Sequence, residues 1–375
     1  MSSERPVKIV IAGGGTGGHI SPAVAVYEVL KTREPVEVLW IGSHKGAERA
    51  AAERAGIPFA AIHTGKLRRY FDLKTVTDSA RIPVGIAQAW RELRAFEPDV
   101  VFSTGGYVSV PTVIAARRIA PVVMHEQTAT IGLANKINIR FADLVALTFS
   151  SSEKAARALH PNVVVTGNPV RAGLRDGDAA ATRAALGFEN DLPVLYVTGG
   201  ALGASPINER IFAKLPELLS TMNIIHQTGS KKDNPDFDRA NQIRSGLNPE
   251  LQSRYVTREF VTTELPGIFA LADLVVARSG AGTVAELAHV GKPAILIPLS
   301  HAGGNEQERN ATILTTAGGA VMIPESSASA DRLAQEIVQL LGRPDQLAEM
   351  SEGARSVATD NAAESLATLI LRHAR

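Results

Sequence analysis

Val7-Lys8-Ile9-Val10-Ile11-Ala12-Gly13-Gly14-Gly15-Thr16-Gly17-Gly18-His19 stands near the start of a 375-residue chain. Its opening residues are a short, mostly apolar run of the kind that forms a buried strand. Five glycines among the next six positions end that strand in a tight turn, and the helical periodicity of Pro22–Leu30 follows. A strand–turn–helix unit of this kind gathers backbone N–H groups and about half a positive charge at one point. So many glycines cost chain entropy, so a ligand or close packing is expected at the turn. The stretch also satisfies the G-x-G-x-x-G pattern of dinucleotide sites, which pair it with an acidic residue ending the second strand, about 20 residues on. That strand ends here in Trp40-Ile41-Gly42-Ser43, and Glu37 lies at its beginning. A nicotinamide or flavin cofactor is therefore not expected.

Outward from this stretch, apolar runs alternate with helical segments, the signature of a parallel sheet covered on both faces. Strands are expected at Val7–Ala12, Val36–Gly42, Phe59–Ile62, Val100–Ser103, Val122–His125 and Leu144–Leu147. The plan then restarts, with Val194-Leu195-Tyr196-Val197-Thr198 leading into Gly199-Gly200. Further strands are expected at Ile224–Thr228, Tyr255–Glu259, Leu274–Ala277, Ala294–Ile297 and Ala320–Ile323. The fold class is α/β, two Rossmann-like domains with parallel sheets facing across a cleft. The expected boundary is Gly167-Asn168-Pro169, giving a first domain over 1–166 and a second over 167–357. The closing segment, 358–375, is expected to be helical after a break near Asp360-Asn361 and to pack back on the first domain.

Composition narrows the function classes. With 45% hydrophobic and 21% charged residues, the chain is globular, and its length exceeds what one core usually serves. The absence of cysteine excludes disulfides, a thiolate nucleophile and thiolate metal sites, and suits a reducing compartment. No secretory signal and no apolar run of bilayer-spanning length is read, so export and a membrane span are not expected. A net charge of +1 argues against a nucleic-acid partner. The charge is uneven: residues 1–166 hold 20 Lys/Arg and 14 Asp/Glu, and the remaining residues 19 and 24.

Two further turns carry candidate chemistry. Gly199-Gly200-Ala201-Leu202-Gly203-Ala204 precedes a helix expected from Pro206 and offers amides to a diphosphate. Ser279-Gly280-Ala281-Gly282-Thr283 leads into Val284–Val290, with Glu286 one turn in. A carboxylate there suits a ribose diol; the competing reading is an acid favoured by the helix dipole. No P-loop occurs, since Pro293 follows Gly291-Lys292, and His125-Glu126 lacks the second histidine of a zinc protease. Asp176–Asp178 and Asp236–Asp238 read as solvated loop acids.

Taken together, the chain resembles glycosyltransferase family 28, which has the GT-B fold. The matching stretches are Gly14 through Ala23, Gly105-Gly106-Tyr107-Val108-Ser109-Val110-Pro111, His125-Glu126-Gln127, Gly132-Leu133-Ala134-Asn135-Lys136, Gly167-Asn168-Pro169-Val170-Arg171 and Arg278 through Gly291. They run in family order over nearly the whole chain. The resemblance implies transfer of N-acetylglucosamine from UDP-N-acetylglucosamine to the 4-hydroxyl of N-acetylmuramic acid on undecaprenyl-diphosphate lipid I, with inversion, to give lipid II of peptidoglycan. On the donor side it implies Glu286 for the ribose, Arg171 with Gly200, Ala201, Leu202 and Gly203 for the diphosphate, Gln307 for the sugar and Phe260-Val261 near the uracil. Ala281, Gly282 and Thr283, and Thr16, Gly17, Gly18 and Asn135 of the first half, complete the implied donor contacts. Thr16, His19, Tyr107 and Glu126 are the implied catalytic residues, with His19 the candidate general base; the competing reading has His19 only orienting the acceptor or capping the helix. No tightly bound cofactor or metal is implied, and a divalent cation accompanying the diphosphate is left open.

The chain departs from the family pattern at Thr128, where asparagine is frequent, at Ala201-Leu202, where the family commonly has serine and glutamine, and at Gln307, a single glutamine where some members have a pair. These departures bear on the choice of sugar. Lys66, Arg68, Arg69, Tyr70 and Phe71, with Tyr107 and Thr128, are expected on the acceptor and membrane side. Each cation near an anionic lipid surface contributes about 1 kcal/mol. The expected location is thus peripheral, on the cytoplasmic face of the membrane, with the lipid-linked acceptor and the cell-wall synthesis machinery as partners. The alternatives are a related transferase using another UDP-sugar or a lipid or natural-product acceptor, and a non-transferase nucleotide-sugar binder.

Overall fold

The structure, a computed structural model, describes residues 5–65, 73–229, 235–300 and 305–374. Two compact units emerge from the contacts: Met1–Ala172 together with Thr359–Arg375, and Gly173–Ala358.

The first unit holds seven strands, β1 (Val7–Gly13), β2 (Val36–Ser43), β3 (Phe59–Ile62), β4 (Val100–Gly105), β5 (Val122–Glu126), β6 (Leu144–Leu147) and β7 (Val163–Val165). They pair in parallel in the order β3-β2-β1-β4-β5-β6-β7. Successive strand residues point to opposite faces, so both faces must be apolar. Ile9 and Ile11 accordingly join one buried cluster with Val26, Leu30 and Phe102, while Val10 and Ala12 join another with Ile62, Leu93 and Val113. Burying each such aliphatic side chain contributes about 1.5–3 kcal/mol. β7 is absent from the strands expected from sequence: three valines between Asn162 and Thr166 are too short a run to carry a period.

The last helix, Ala362–His373, completes the first cluster. Ala363, Leu366, Ala367, Ile370 and Leu371 recur at helical spacing, and all are buried against the Ile9/Ile11 face. Asn361 starts it in the left-handed region, at φ 64°.

The second unit repeats the plan with β8 (Val194–Thr198), β9 (Asn223–Gln227), β10 (Tyr255–Arg258), β11 (Leu274–Ala277), β12 (Ala294–Leu296) and β13 (Ala320–Met322). These are also parallel, in the order β10-β9-β8-β11-β12-β13. Leu195, Val197, Leu274, Val276 and Ile295 pack with Ile207, Ile211 and Leu215 of the helix Ser205–Leu219, and with Leu333 and Ile337 of Ala330–Leu341.

In each sheet the order reverses beside the first strand, between β1 and β4 and between β8 and β11. Ligands of such sheets bind at this switch point, beyond the carboxyl ends of the strands. Both glycine turns stand there, because Gly13 closes β1 against Gly105 of β4, and Gly199 follows β8.

The division between units falls after Ala172, five residues beyond the Gly167 expected from sequence. Contacts explain the difference. His125 Nε2 lies 3.0 Å from the Gly167 carbonyl, and Asn168 is buried. A Cβ on Gly167, whose φ is +84°, would lie 2.4 Å from the Cβ of Thr359.

One reading of an acidic residue needs correction, and another gains a partner. Asp236 is not a solvated loop acid: it is buried at the start of the helix Asp236–Ser245 and accepts from Asn208 Nδ2 at 2.7 Å. Asp178 caps the helix Ala179–Leu186, accepting from Ala181 N at 3.0 Å. Among the described residues, no helix is long and apolar enough to cross a membrane.

Candidate active site

The first turn is held from beneath by side chains. Glu48, wholly buried, accepts from Gly15 N at 3.0 Å with one oxygen, and from Ser43 N and Ser43 Oγ at 2.9 and 2.5 Å with the other. Trp40 Nε1 donates to the Gly13 carbonyl at 3.0 Å. Gly15 has φ +85°, and a Cβ there would meet the Tyr107 ring at 2.8 Å. The helix expected from Pro22 begins earlier and spans Gly17–Arg33, with Thr16 at its N-cap position. The Thr16 hydroxyl makes no cap bond, and Thr16, Gly17 and Gly18 are exposed.

His19 is the half-buried residue this helix start presents. Its Nδ1 lies 2.8 Å from the Thr104 carbonyl and 2.8 Å from Gln127 Oε1. Gly106 lets the ring lie close: a Cβ there would be 3.0 Å from His19 Cδ2 and 3.3 Å from Nε2. Behind Gln127 lies His125, whose imidazole burial pushes down to about 4; the bond to the Gly167 carbonyl opposes that shift, and the charge of His19 adds to it.

Glu126 closes β5 and is nearly inaccessible. Its carboxylate accepts from Thr128 N at 3.0 Å, Thr128 Oγ1 at 2.8 Å, Gly132 N at 2.9 Å and Asn135 Nδ2 at 3.0 Å. Asn135 Oδ1 accepts from Asn138 Nδ2 at 3.2 Å, Asn138 Nδ2 also reaches Ser109 Oγ at 2.8 Å, and Ser109 Oγ donates to the Gly106 carbonyl at 2.8 Å. One polar network thus ties the loop after β5 to the Gly106 turn beside His19.

The second turn is held differently. Gly200 N donates to Thr198 Oγ1 at 3.0 Å, Gly203 N to the Gly200 carbonyl at 3.0 Å, and Gln227 Nε2 to that same carbonyl at 3.0 Å. Tyr196 orients Gln227 through a 2.8 Å bond from its hydroxyl. Ala201 and Leu202 are exposed, Leu202 at 64%. Beside this turn, at the end of β11, the helix Ala281–Val290 starts after Gly280, with Gly282, Thr283 and Glu286 half-buried and Ala281 buried. Ser279 Oγ donates to the Gln307 carbonyl at 2.7 Å, and Leu299 N to Gln307 Oε1 at 2.8 Å, which brings Gln307 to the same end of the sheet. Arg278 fixes the strand end below, donating to the carbonyls of Ile297 and Pro298 and to Glu325. Burial alone would raise the Glu325 carboxyl, but hydrogen bonds from Ser300 and Arg278 hold it below the usual range. A cavity of about 520 Å³ lined by Arg175, Lys292 and Arg355 lies at the other ends of these strands, near Asp273 and Pro293.

Two family models match the chain in order: the glycosyltransferase family 28 N-terminal domain over residues 9–147 and the corresponding C-terminal domain over 194–367. The chain belongs to glycosyltransferase family 28. It is 39% identical over 339 residues to the UDP-N-acetylglucosamine--N-acetylmuramyl-(pentapeptide) pyrophosphoryl-undecaprenol N-acetylglucosamine transferase 2 of Bacillus anthracis, covering 89% of this chain and 91% of that protein. It is 35% identical over 370 residues to the transferase of the same name from Halalkalibacterium halodurans, covering 97% and 99%. Among solved structures, MurG of Acinetobacter baumannii superposes with a TM-score of 0.71 at 26% identity, over 98% of this chain and 100% of that one.

Within the family 28 N-terminal half, Thr16, Gly17, Gly18 and His19 belong to the first turn and the helix it opens, Tyr107, after β4, sets its ring against Gly15, and Glu126, Thr128 and Asn135 form the loop network beside them. In the C-terminal half, Gly200 to Gly203 and Ala281 to Glu286 share the switch point, with Gln307 joined through Ser279. Phe260 is exposed and Val261 buried. Arg171 lies in the first unit, just before the division. Lys66, Arg68, Arg69, Tyr70 and Phe71 lie outside the described residues. Among the described residues, no group of three or more His, Cys, Asp or Glu is placed to hold a metal ion.

Sequence reasoning missed Glu48 and gave no role to His125 or Gln127. The His-Glu-Gln triplet at the end of a strand was signal enough for the latter two. Glu48 had none, since an acid in the first turn of a short helix resembles any dipole-favoured surface residue.

Proposed function

We propose that this chain transfers N-acetylglucosamine from UDP-N-acetylglucosamine to the 4-hydroxyl of N-acetylmuramic acid on undecaprenyl-diphosphate lipid I, yielding lipid II. The observation that carries this reading is the pairing of both family 28 domains, in order, with relatives of one activity over nearly the whole chain.

In this reading the first unit presents the acceptor and the second holds the donor. His19 takes the proton of the attacking hydroxyl through Nε2, since its Nδ1 already faces two acceptors. The acceptor oxygen bonds to the anomeric carbon as the bond from that carbon to the diphosphate oxygen breaks, and the electron pair leaves with UDP. Attack opposite the leaving group inverts the centre. The start of the helix Ala281–Val290 stabilises the departing charge by its fixed dipole, with the exposed edge of the second turn at Leu202 and the Arg171 guanidinium as further donors. Glu286 holds the ribose diol. With its Oε1 engaged by Leu299 N, Gln307 offers a sugar hydroxyl its Nε2 as donor. Glu126, with four donors on its carboxylate, shapes the loop that carries Thr128 and Asn135 rather than moving a proton. A divalent cation at the diphosphate would add to the same charge stabilisation.

The acceptor is lipid-linked, so we place the chain peripherally on the cytoplasmic face of the membrane, with the basic, aromatic Lys66–Phe71 segment toward anionic lipid and the cell-wall machinery as neighbour. The exposed Ala201-Leu202 pair supports a second reading, a related transferase with a different UDP-sugar. Calorimetry with UDP-N-acetylglucosamine, UDP-N-acetylgalactosamine and UDP-glucose, followed by turnover with lipid I, decides between them. Preferred binding of the first sugar and formation of lipid II are expected; a stronger preference for another sugar would move the assignment to the second reading.

A further inference from the structure

The polar groups beneath His19 form a line of hydrogen bonds whose direction is fixed at its far end. The Gly167 carbonyl can only accept, and it lies 3.0 Å from His125 Nε2, so that nitrogen carries the proton. Thr148 Oγ1, 3.2 Å from the same nitrogen, is compatible, since a hydroxyl oxygen also accepts. His125 is wholly buried and its pKa of about 4 keeps it neutral near pH 7, so its Nδ1 bears a lone pair. Gln127 Nε2 stands 3.4 Å from that lone pair and 2.5 Å from the Thr104 carbonyl. Two acceptors at one end of the amide demand its nitrogen there, so Gln127 Oε1 must face His19 Nδ1. The Thr104 carbonyl faces that Nδ1 as well, each contact being 2.8 Å.

We propose that Gln127 and His125 are positioning residues that hold His19 as its Nδ1–H tautomer, with the Gly167 carbonyl, on the segment leading to the second unit, setting the direction of the whole line. The proton runs from His19 Nδ1 toward Gln127, from Gln127 Nε2 toward His125, and from His125 Nε2 toward Gly167. Each donor has its next acceptor further along the line, the Thr104 carbonyl being shared by His19 Nδ1 and Gln127 Nε2, and turning the Gln127 amide over would set its oxygen against that carbonyl. Nothing in this line takes up the substrate's proton. Its effect is to keep the lone pair on His19 Nε2, the nitrogen beside Gly106, where a hydroxyl can reach it. The inference rests on the reading of His19 as the base only for its catalytic consequence; the tautomer follows from the geometry alone.

Nitrogen-15 spectra of the histidine rings in the full-length protein at about pH 8 test it, with the His19 signals assigned by their loss in His19→Ala. The expected spectrum has His19 protonated at Nδ1 and bare at Nε2. In Gln127→Leu the Thr104 carbonyl alone still faces Nδ1, so the Nδ1–H share should fall without reversing, and kcat should fall about tenfold to a thousandfold while the donor KM stays within about twofold. A wild-type His19 protonated at Nε2 would overturn the proposal without any variant. So would a folded Gln127→Leu protein that keeps both the tautomer and kcat. If the predicted tautomer is found but His19→Ala retains full activity, the base reading fails and the line of hydrogen bonds stands.

Discussion

The two glycine turns share a plan and differ in what supports them. Under Gly13–Gly18 lie the buried side chains of Glu48, on Gly15, and Trp40, on Gly13, with the half-buried Tyr107 ring against Gly15. Gly200–Gly203 is tied mainly by its own backbone, by Thr198 and by one glutamine, and it leaves Ala201 and Leu202 in solvent. A turn braced by side chains can aim an imidazole with little freedom. A turn that keeps its exposed face open can lend amides to a diphosphate. The same strand–turn–helix unit therefore does two jobs, and the neighbours of its glycines, more than the glycines themselves, decide which. Each turn also has a buried histidine near it. His125 connects outward to His19, whereas His226 is closed in between Tyr255 and Asn208, 2.9 and 3.0 Å away.

If the first turn carries the base, removing His19 is the most damaging change. His19→Ala should lower kcat by about a hundredfold to ten-thousandfold with the donor KM nearly unchanged, measured by steady-state transfer to lipid I. Equal loss of donor affinity would erase the contrast between the turns.

A second effect concerns both buried histidines. Burial pushes His125 to about 4 and His226 to about 3, from an ordinary 6.5. Their folded-state values are depressed, so an unfolded chain takes up protons that the folded one refuses. This contribution is complete above pH 6.5 and is lost as pH falls from there, toward 4 for His125 and toward 3 for His226. At about 1.4 kcal/mol per unit, the full loss is on the order of 3 kcal/mol for His125 and about 5 kcal/mol for His226. Urea unfolding at about pH 7.5 and pH 5 should show the decline, and His226→Gln should make it shallower; a flat profile would contradict the buried neutral state.

The smallest effect belongs to the second turn's neighbour. Glu286→Ala should raise the donor KM about tenfold, as expected for losing hydrogen bonds to a charged group, and should leave kcat close to wild type. Titration of UDP-N-acetylglucosamine checks it. A fall in kcat with unchanged KM would place Glu286 with the chemistry instead.

The repeating strands were legible because both faces of a parallel sheet are apolar, so Ile9-Val10-Ile11-Ala12 and Leu195-Tyr196-Val197 stand out as runs. The turns were legible because Gly15 and Gly200 occupy left-handed conformations that glycine alone adopts easily. What supports the turns was not. Glu48 meets Gly15 across 33 residues and His19 meets Gln127 across 108, and no local pattern records such partners. Asp236 misled for the same reason: its partner Asn208 lies 28 residues away, so a buried carboxylate looked like a solvated one. The position of the division likewise depends on Gly167 meeting His125 and Thr359, contacts formed only in the folded chain.

The most direct test of the central division of labour is a crystal structure with UDP-N-acetylglucosamine. The nucleotide should lie on the second unit, its diphosphate between the Gly200–Gly203 turn and the start of the helix Ala281–Val290 and its ribose at Glu286, with the Gly13–Gly18 turn free of phosphate. A diphosphate seated on Gly13–Gly18 would reverse the roles of the two turns and contradict the account.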